Sequence, residues 1–197
     1  MNAWANIKRN ATIPNALSLV RLLLVPVYII LFIKGRKDAA LAIFLTACFT
    51  DLLDGYLARK LHQITNFGKL LDPFADKVMV LTTMFSMALG SDQIPAVIPW
   101  VAIVILLLKE CVMVAGGLVM LKHGIVVHSS LIGKIAHTVF IGALAASFFH
   151  DTLSATFSAW PMSPDLMLVW LAVALTLCAM IFYILRSIQK ARSMGII

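Results

Sequence analysis

The stretch AALAIFLTACFTDLLDGYLARKLHQITNFGKLLDPFADKVMVLTTMFSMALG, residues 39–90, decides how this chain is read. An apolar run from Ala39 to Thr50 meets Asp51 and Asp54, crosses a polar link to Asp72 and Asp76, and turns apolar again from Val78 to Gly90. Neither run reaches the about 20 residues that a membrane span needs. Each must be completed by its polar flank, which places carboxylates at membrane depth. Ionisable groups are costly there and are normally kept for function.

Four further apolar runs flank this stretch. Ala16 to Ile33 is interrupted only by Arg21, Ile94 to Leu121 embeds Lys109 and Glu110, and Ile135 to Phe149 and Leu166 to Leu185 follow. Of 197 residues, 61% are apolar and 13% charged, and the mean hydropathy is +0.97. A soluble domain is about half apolar and roughly a quarter charged, so a water-soluble globule and a disordered chain are both excluded. The expected fold is all-α integral membrane: six transmembrane helices after a short N-terminal interfacial segment carrying Trp4, Lys8 and Arg9. Residues 1–12 form that segment, 13–190 a six-helix domain and 191–197 a C-terminal tail.

The net charge of +7 fits anionic headgroups and cytoplasmic loops better than nucleic acid. With both termini cytoplasmic, ten basic residues, Arg59, Lys134 and Arg186 among them, fall on that side against Lys34, Arg36 and Lys37 opposite. The expectation is a multi-pass cell-membrane protein whose link between the second and third helices faces the cytoplasm. The first apolar run lacks a small-residue cleavage site, so no secretory signal is expected. Cys48, Cys111 and Cys178 read as small apolar-run residues, and the five His show no metal-ligand spacing.

Four of the nine acidic residues fall within 26 positions. Asp51 and Asp54 are i,i+3 and Asp72 and Asp76 are i,i+4, so each pair shares a helix face. Four clustered carboxylates carry −4 and oppose one another's ionisation. Two divalent cations neutralise them, and all-oxygen ligation points to Mg²⁺ or Mn²⁺ rather than zinc. Such a set suits displacement at phosphorus. Gly55 and Ala58 leave room beside the carboxylates for a flat nucleobase or a diphosphate, although small residues also let helices pack closely. Gly68 permits backbone conformations that other residues resist. Arg59 is placed to meet an anion, or to snorkel to headgroups.

The pattern D-x2-D-G-x2-A-R-x8-G-x3-D-x3-D is matched at every specified position from Asp51 to Asp76. The chain thereby resembles the CDP-alcohol phosphatidyltransferases, integral-membrane enzymes of phospholipid synthesis. Its opening Ile13-Pro14-Asn15-Ala16-Leu17-Ser18-Leu19-Val20-Arg21 is similar to the first helix of the phosphatidylglycerophosphate and cardiolipin synthase branches. The likeness extends from Ile13 to Leu185. It implies six helices, a homodimer and a cytoplasm-facing cavity. It further implies Asp51, Asp54, Asp72 and Asp76 as metal ligands, with Asp76 also the base that deprotonates the acceptor hydroxyl. Gly55, Ala58, Arg59, Thr65 and Gly68 would line the CDP-diacylglycerol headgroup site, closed by Pro14, Asn15 and Leu17. The acceptor attacks the phosphorus bearing the diacylglycerol, and CMP leaves.

A small phosphorylated acceptor needs cations, and Lys109, Lys134 and Arg186 are the candidates. The branch expected is phosphatidylglycerophosphate synthase, with glycerol-3-phosphate as acceptor. That branch often shows Gly-Lys-x-Lys-Thr where this chain has Gly133-Lys134-Ile135-Ala136-His137-Thr138, without the second lysine. Cardiolipin synthesis from phosphatidylglycerol and phosphatidylinositol-phosphate synthesis therefore stay open. From other classes, an intramembrane prenyltransferase would set its acidic motifs further apart. A divalent-cation transporter would need no fixed register of Gly55, Ala58 and Arg59, and no inverted repeat is visible.

Overall fold

A computed structural model describes residues 12–60, 68–122 and 131–193, and within them the side chains of all but residues 13–14, 55–59, 68–73, 118, 121–122, 191 and 193. Thr12 starts the first helix. Its backbone is extended (φ −107°, ψ 156°), its Oγ1 accepts from the Asn15 N–H at 3.5 Å, and Pro14 lies in the first turn, where its missing N–H costs nothing. From there α1 runs Ile13–Ile33, α2 Lys37–Lys60, α3 Gly68–Leu89, α4 Trp100–Lys122, α5 Leu131–Ser147, α6 His150–Thr156 and α7 Pro164–Ser193. No strand occurs among the described residues.

Among those residues, Asn15–Ile33, Trp100–Gly117 and Pro164–Lys190 are long and apolar enough to cross a membrane. A fourth span results if α5 and α6, bent by 84° at their junction, count as one. Only 17–28% of the three apolar windows is buried within the protein. Leu23, Ile30, Val101, Leu108, Leu171 and Phe182 instead stand exposed. Such faces would aggregate in water and are at home in lipid. The chain is a multi-pass membrane protein.

The helices of the short second and third runs extend into their polar flanks: α2 reaches Lys60 and α3 starts at Gly68. The fourth run differs from its expectation. Ile94 to Pro99 is not helical, because Pro95 and Pro99 lack the N–H a helix needs and disfavour helix at the residue before them. The expected boundary at 190 falls inside α7, which continues to Ser193. Residues 1–11 of the expected interfacial segment lie outside the described residues.

The chain divides into two compact units between Ala96 and Val97. In the first, α1 packs on both α2 and α3. Asn15, Ser18, Arg21, Val25, Tyr28 and Phe32 form the buried stripe of α1, and Ala40, Phe44, Ala47 and Asp54 that of α2. The steps of three and four are those of one helical face. A Schellman turn reverses the chain between them: Gly35 takes φ +68°, its N–H reaches the Phe32 carbonyl at 2.9 Å, and the Arg36 N–H reaches that of Leu31 at 2.9 Å. The hairpin aligns the apolar C-terminal half of α1 with the apolar N-terminal half of α2. Their polar halves, bearing Ser18 and Arg21 on one side and Asp51 and Asp54 on the other, therefore meet. Gly90 ends α3 at φ +69°, and a Cβ there would lie 2.8 Å from the Ile94 carbonyl oxygen.

In the second unit α7 packs on α5 and α4. Ala102, Ile103, Leu106, Phe140, Leu144, Phe148, Val169 and Ala172 fill its core. At the α5–α6 corner His150 Nδ1 donates to Asp165 Oδ2 at 2.8 Å, and Asp165 is fully buried in the first turn of α7.

Candidate active site

Arg21 interrupts an otherwise apolar helix, and an unpaired guanidinium at that depth would be costly. Its partners come from α2. Nη1 donates to Asp51 Oδ1 at 2.7 Å, and Nη2 to Asp54 Oδ2 at 2.5 Å. Arg21 is 1% exposed, Asp54 3% and Asp51 34%, so the fork is buried at one end and open at the other. Ser18, one turn earlier on α1, donates to Asp54 Oδ2 at 3.4 Å. Two carboxylates share one guanidinium. Charge-assisted bonds of this kind are short and directional.

Asp76 belongs to the same neighbourhood. Cys48, one turn before Asp51, lies within electrostatic reach of Asp76, Asp51 and Arg21 together. The i,i+3 pairing of Asp51 and Asp54 expected from spacing is thus realised around a residue the motif does not contain. Arg21 and Ser18 escaped the sequence reading. The available signal was the lone charge in the first apolar run, which had to find a counter-charge.

The guanidinium and Ser18 engage Oδ1 of Asp51 and Oδ2 of Asp54, and carboxylates supply the hard oxygens that Mg²⁺ and Mn²⁺ prefer. The donor chemistry fits such an ion. Among the described residues no three acidic, His or Cys side chains by themselves gather into a metal set, and the Asp72 side chain lies outside them.

The remaining candidates divide by position. Asn15 is buried and Leu17 half-buried in the first turns of α1. Gly55, Ala58 and Arg59 occupy the last turns of α2, and Gly68 opens α3. The side chains at 55–59, at Pro14 and at Asp72, and all of Thr65, lie outside the described residues. Lys109, Lys134 and Arg186 belong to the second unit. Lys109 Nζ pairs with Glu110 Oε1 at 2.5 Å, whereas Lys134 on α5 and Arg186 on α7 are exposed.

The model of the CDP-alcohol phosphatidyltransferase family matches residues 11–187. This chain belongs to that family. It is an enzyme, a phosphatidyltransferase, in a family that generally depends on divalent metal. It is 36% identical over 138 residues to the CDP-diacylglycerol–glycerol-3-phosphate 3-phosphatidyltransferase of Bacillus subtilis (strain 168), a match covering 62% of this chain and 69% of that one. To the probable phosphatidylglycerophosphate synthase of Mycobacterium tuberculosis (strain H37Rv) it is 33% identical over 124 residues, covering 60% and 57%. A shorter match, 48% over 75 residues, covers 36% of this chain and 38% of the CDP-diacylglycerol–glycerol-3-phosphate 3-phosphatidyltransferase of Pseudomonas fluorescens. The chain thus spans between 38% and 69% of the length of these relatives.

Proposed function

We propose that this phosphatidyltransferase moves the phosphatidyl group of CDP-diacylglycerol to glycerol-3-phosphate and releases CMP, within phosphatidylglycerol synthesis. The observation that carries the reaction is the α1–α2 contact, where Asp51 and Asp54 converge on the buried guanidinium of Arg21. The names of the relatives support the acceptor.

In this reading α2 and α3, at 24 and 22 residues, join the apolar helices and the bent pair to make six spans in one domain, residues 13–190. The excess of basic residues orients the carboxylates toward the cytoplasm. Asp51, Asp54, Asp72 and Asp76 hold two ions, Mg²⁺ or Mn²⁺. Bound there, the ions supply positive charge to the attacking and leaving oxygens. Asp76 takes the proton of the acceptor hydroxyl. Arg59 faces the donor diphosphate, with Pro14, Asn15, Leu17, Gly55, Ala58, Thr65 and Gly68 around the headgroup. The acceptor phosphate is met by Lys134, with Lys109 and Arg186 as lesser partners. The working form is a homodimer.

The test is CMP release by purified protein given CDP-diacylglycerol and a panel of alcohols. Glycerol-3-phosphate should be the substrate and glycerol a poor one. Consumption of phosphatidylglycerol with cardiolipin as product would move the enzyme to another branch, one that the missing second lysine after Lys134 leaves open. No metal-dependent CMP release with any alcohol would remove the reading altogether.

A further inference from the structure

We propose that Arg21 is the positioning residue of the metal-binding carboxylates: its fork sets the geometry of Asp51 and Asp54 before any cation arrives. This rests on the metal reading of the four aspartates. Three observations carry it. Arg21 is almost wholly buried, which excludes a role at the headgroups. Its two terminal nitrogens each take a different carboxylate, one on each of two successive turns of α2. Its Nε finds no hydrogen-bond partner among the described residues, so the side chain is aimed by its bonds to α2 rather than by bonds along α1.

Two effects of Arg21 on a cation oppose each other. Its positive charge repels a divalent ion, so charge alone would make any cationic residue here a hindrance. Its planar fork fixes two side chains that otherwise rotate about their own χ angles, and lost orientation around ligands typically costs about 10–100-fold in metal affinity. A lysine separates the two effects. It keeps the charge but is a point donor that cannot bridge two carboxylates in one plane. If charge dominates, Arg21→Lys binds metal as the native chain does. If the fork dominates, the substitution weakens binding although the charge is unchanged. The second outcome is the one the geometry points to.

The experiment measures Mn²⁺ binding to the full chain in detergent by electron paramagnetic resonance, without substrates, beside thermal melting in chelator. Arg21→Lys should raise the Mn²⁺ dissociation constant about tenfold or more, and the Mn²⁺ concentration for half-maximal CMP release should rise in step. Arg21→Gln should melt lower in chelator, because the buried Asp54 loses its guanidinium. Adding Asp54→Asn to Arg21→Gln should recover part of that loss, a non-additivity expected only of residues that act through each other. Should Arg21→Gln not fold, the Lys variant and the double variant still decide. Native Mn²⁺ affinity in Arg21→Lys, or tighter binding, overturns the positioning role while leaving the metal site standing. Failure of the native chain itself to bind Mn²⁺ overturns both.

Discussion

Asp54 and Asp165 are both buried carboxylates, 3% and 0% exposed, and each is held by a basic side chain from another helix. Their surroundings differ. Asp165 meets one imidazole, and it sits in the first turn of α7, where the helix dipole favours a negative charge. Asp54 shares one guanidinium with Asp51, and Asp76 lies within electrostatic range of the same place. The pair closes a corner of the fold, and Asp165 Oδ1 stays buried there without a hydrogen-bond partner among the described residues. Around Arg21 two carboxylates share a single guanidinium, and in the proposed reading that sharing separates a site from a strut. Lys109 pairs with Glu110, which is why its lysine is a lesser candidate for the acceptor phosphate than Lys134.

The contrast can be broken by substitution at each end. Asp51→Asn and Asp54→Asn should each abolish CMP release while the protein still inserts and stays helical by circular dichroism. Measurable turnover in both would place these carboxylates outside the chemistry. His150→Ala should cost about 1–3 kcal/mol of stability, the usual penalty for leaving a buried polar group without its hydrogen bond. It should leave the Mn²⁺ dissociation constant at its native value. A parallel change in metal affinity would erase the distinction between strut and site.

Smaller effects sharpen the picture. Arg59→Ala should raise the KM for CDP-diacylglycerol about tenfold, since a hydrogen bond to a charged group contributes roughly 1.5–3 kcal/mol. An unchanged donor KM would mean that Arg59 only reaches for headgroups. Smallest is the acceptor side. Lys134→Ala should raise the KM for glycerol-3-phosphate several-fold, and Lys109→Ala by less, because Lys109 is already committed to Glu110. The reverse order, read from initial rates at saturating donor, would reassign the phosphate contact.

Much of this protein is local, and local facts are legible in a sequence. The apolar runs predicted helices because an α-helix satisfies its own backbone in lipid, whatever its neighbours are. The steps from Asp51 to Asp54 and from Asp72 to Asp76 placed each pair on one face because helical pitch alone decides that. Together with Gly55, Ala58, Arg59 and Gly68, the same short-range register was enough to name the family. Even the break at Ile94–Pro99 was there to be read in Pro95 and Pro99. Other features depend on residues far apart in the chain. Arg21 finds Asp51 and Asp54 across sequence separations of 30 and 33 residues. That pairing depends on how the Gly35 turn registers α1 against α2, and a shift of one residue would carry Arg21 about 100° around its helix, off the shared face. The burial of Asp165 beside His150 likewise brings together residues of different helices. Sequence alone determined which groups must find partners, because the cost of burying a charge is set by the medium. Only the tertiary structure decided which partners they found, because that depends on the register in which whole helices pack.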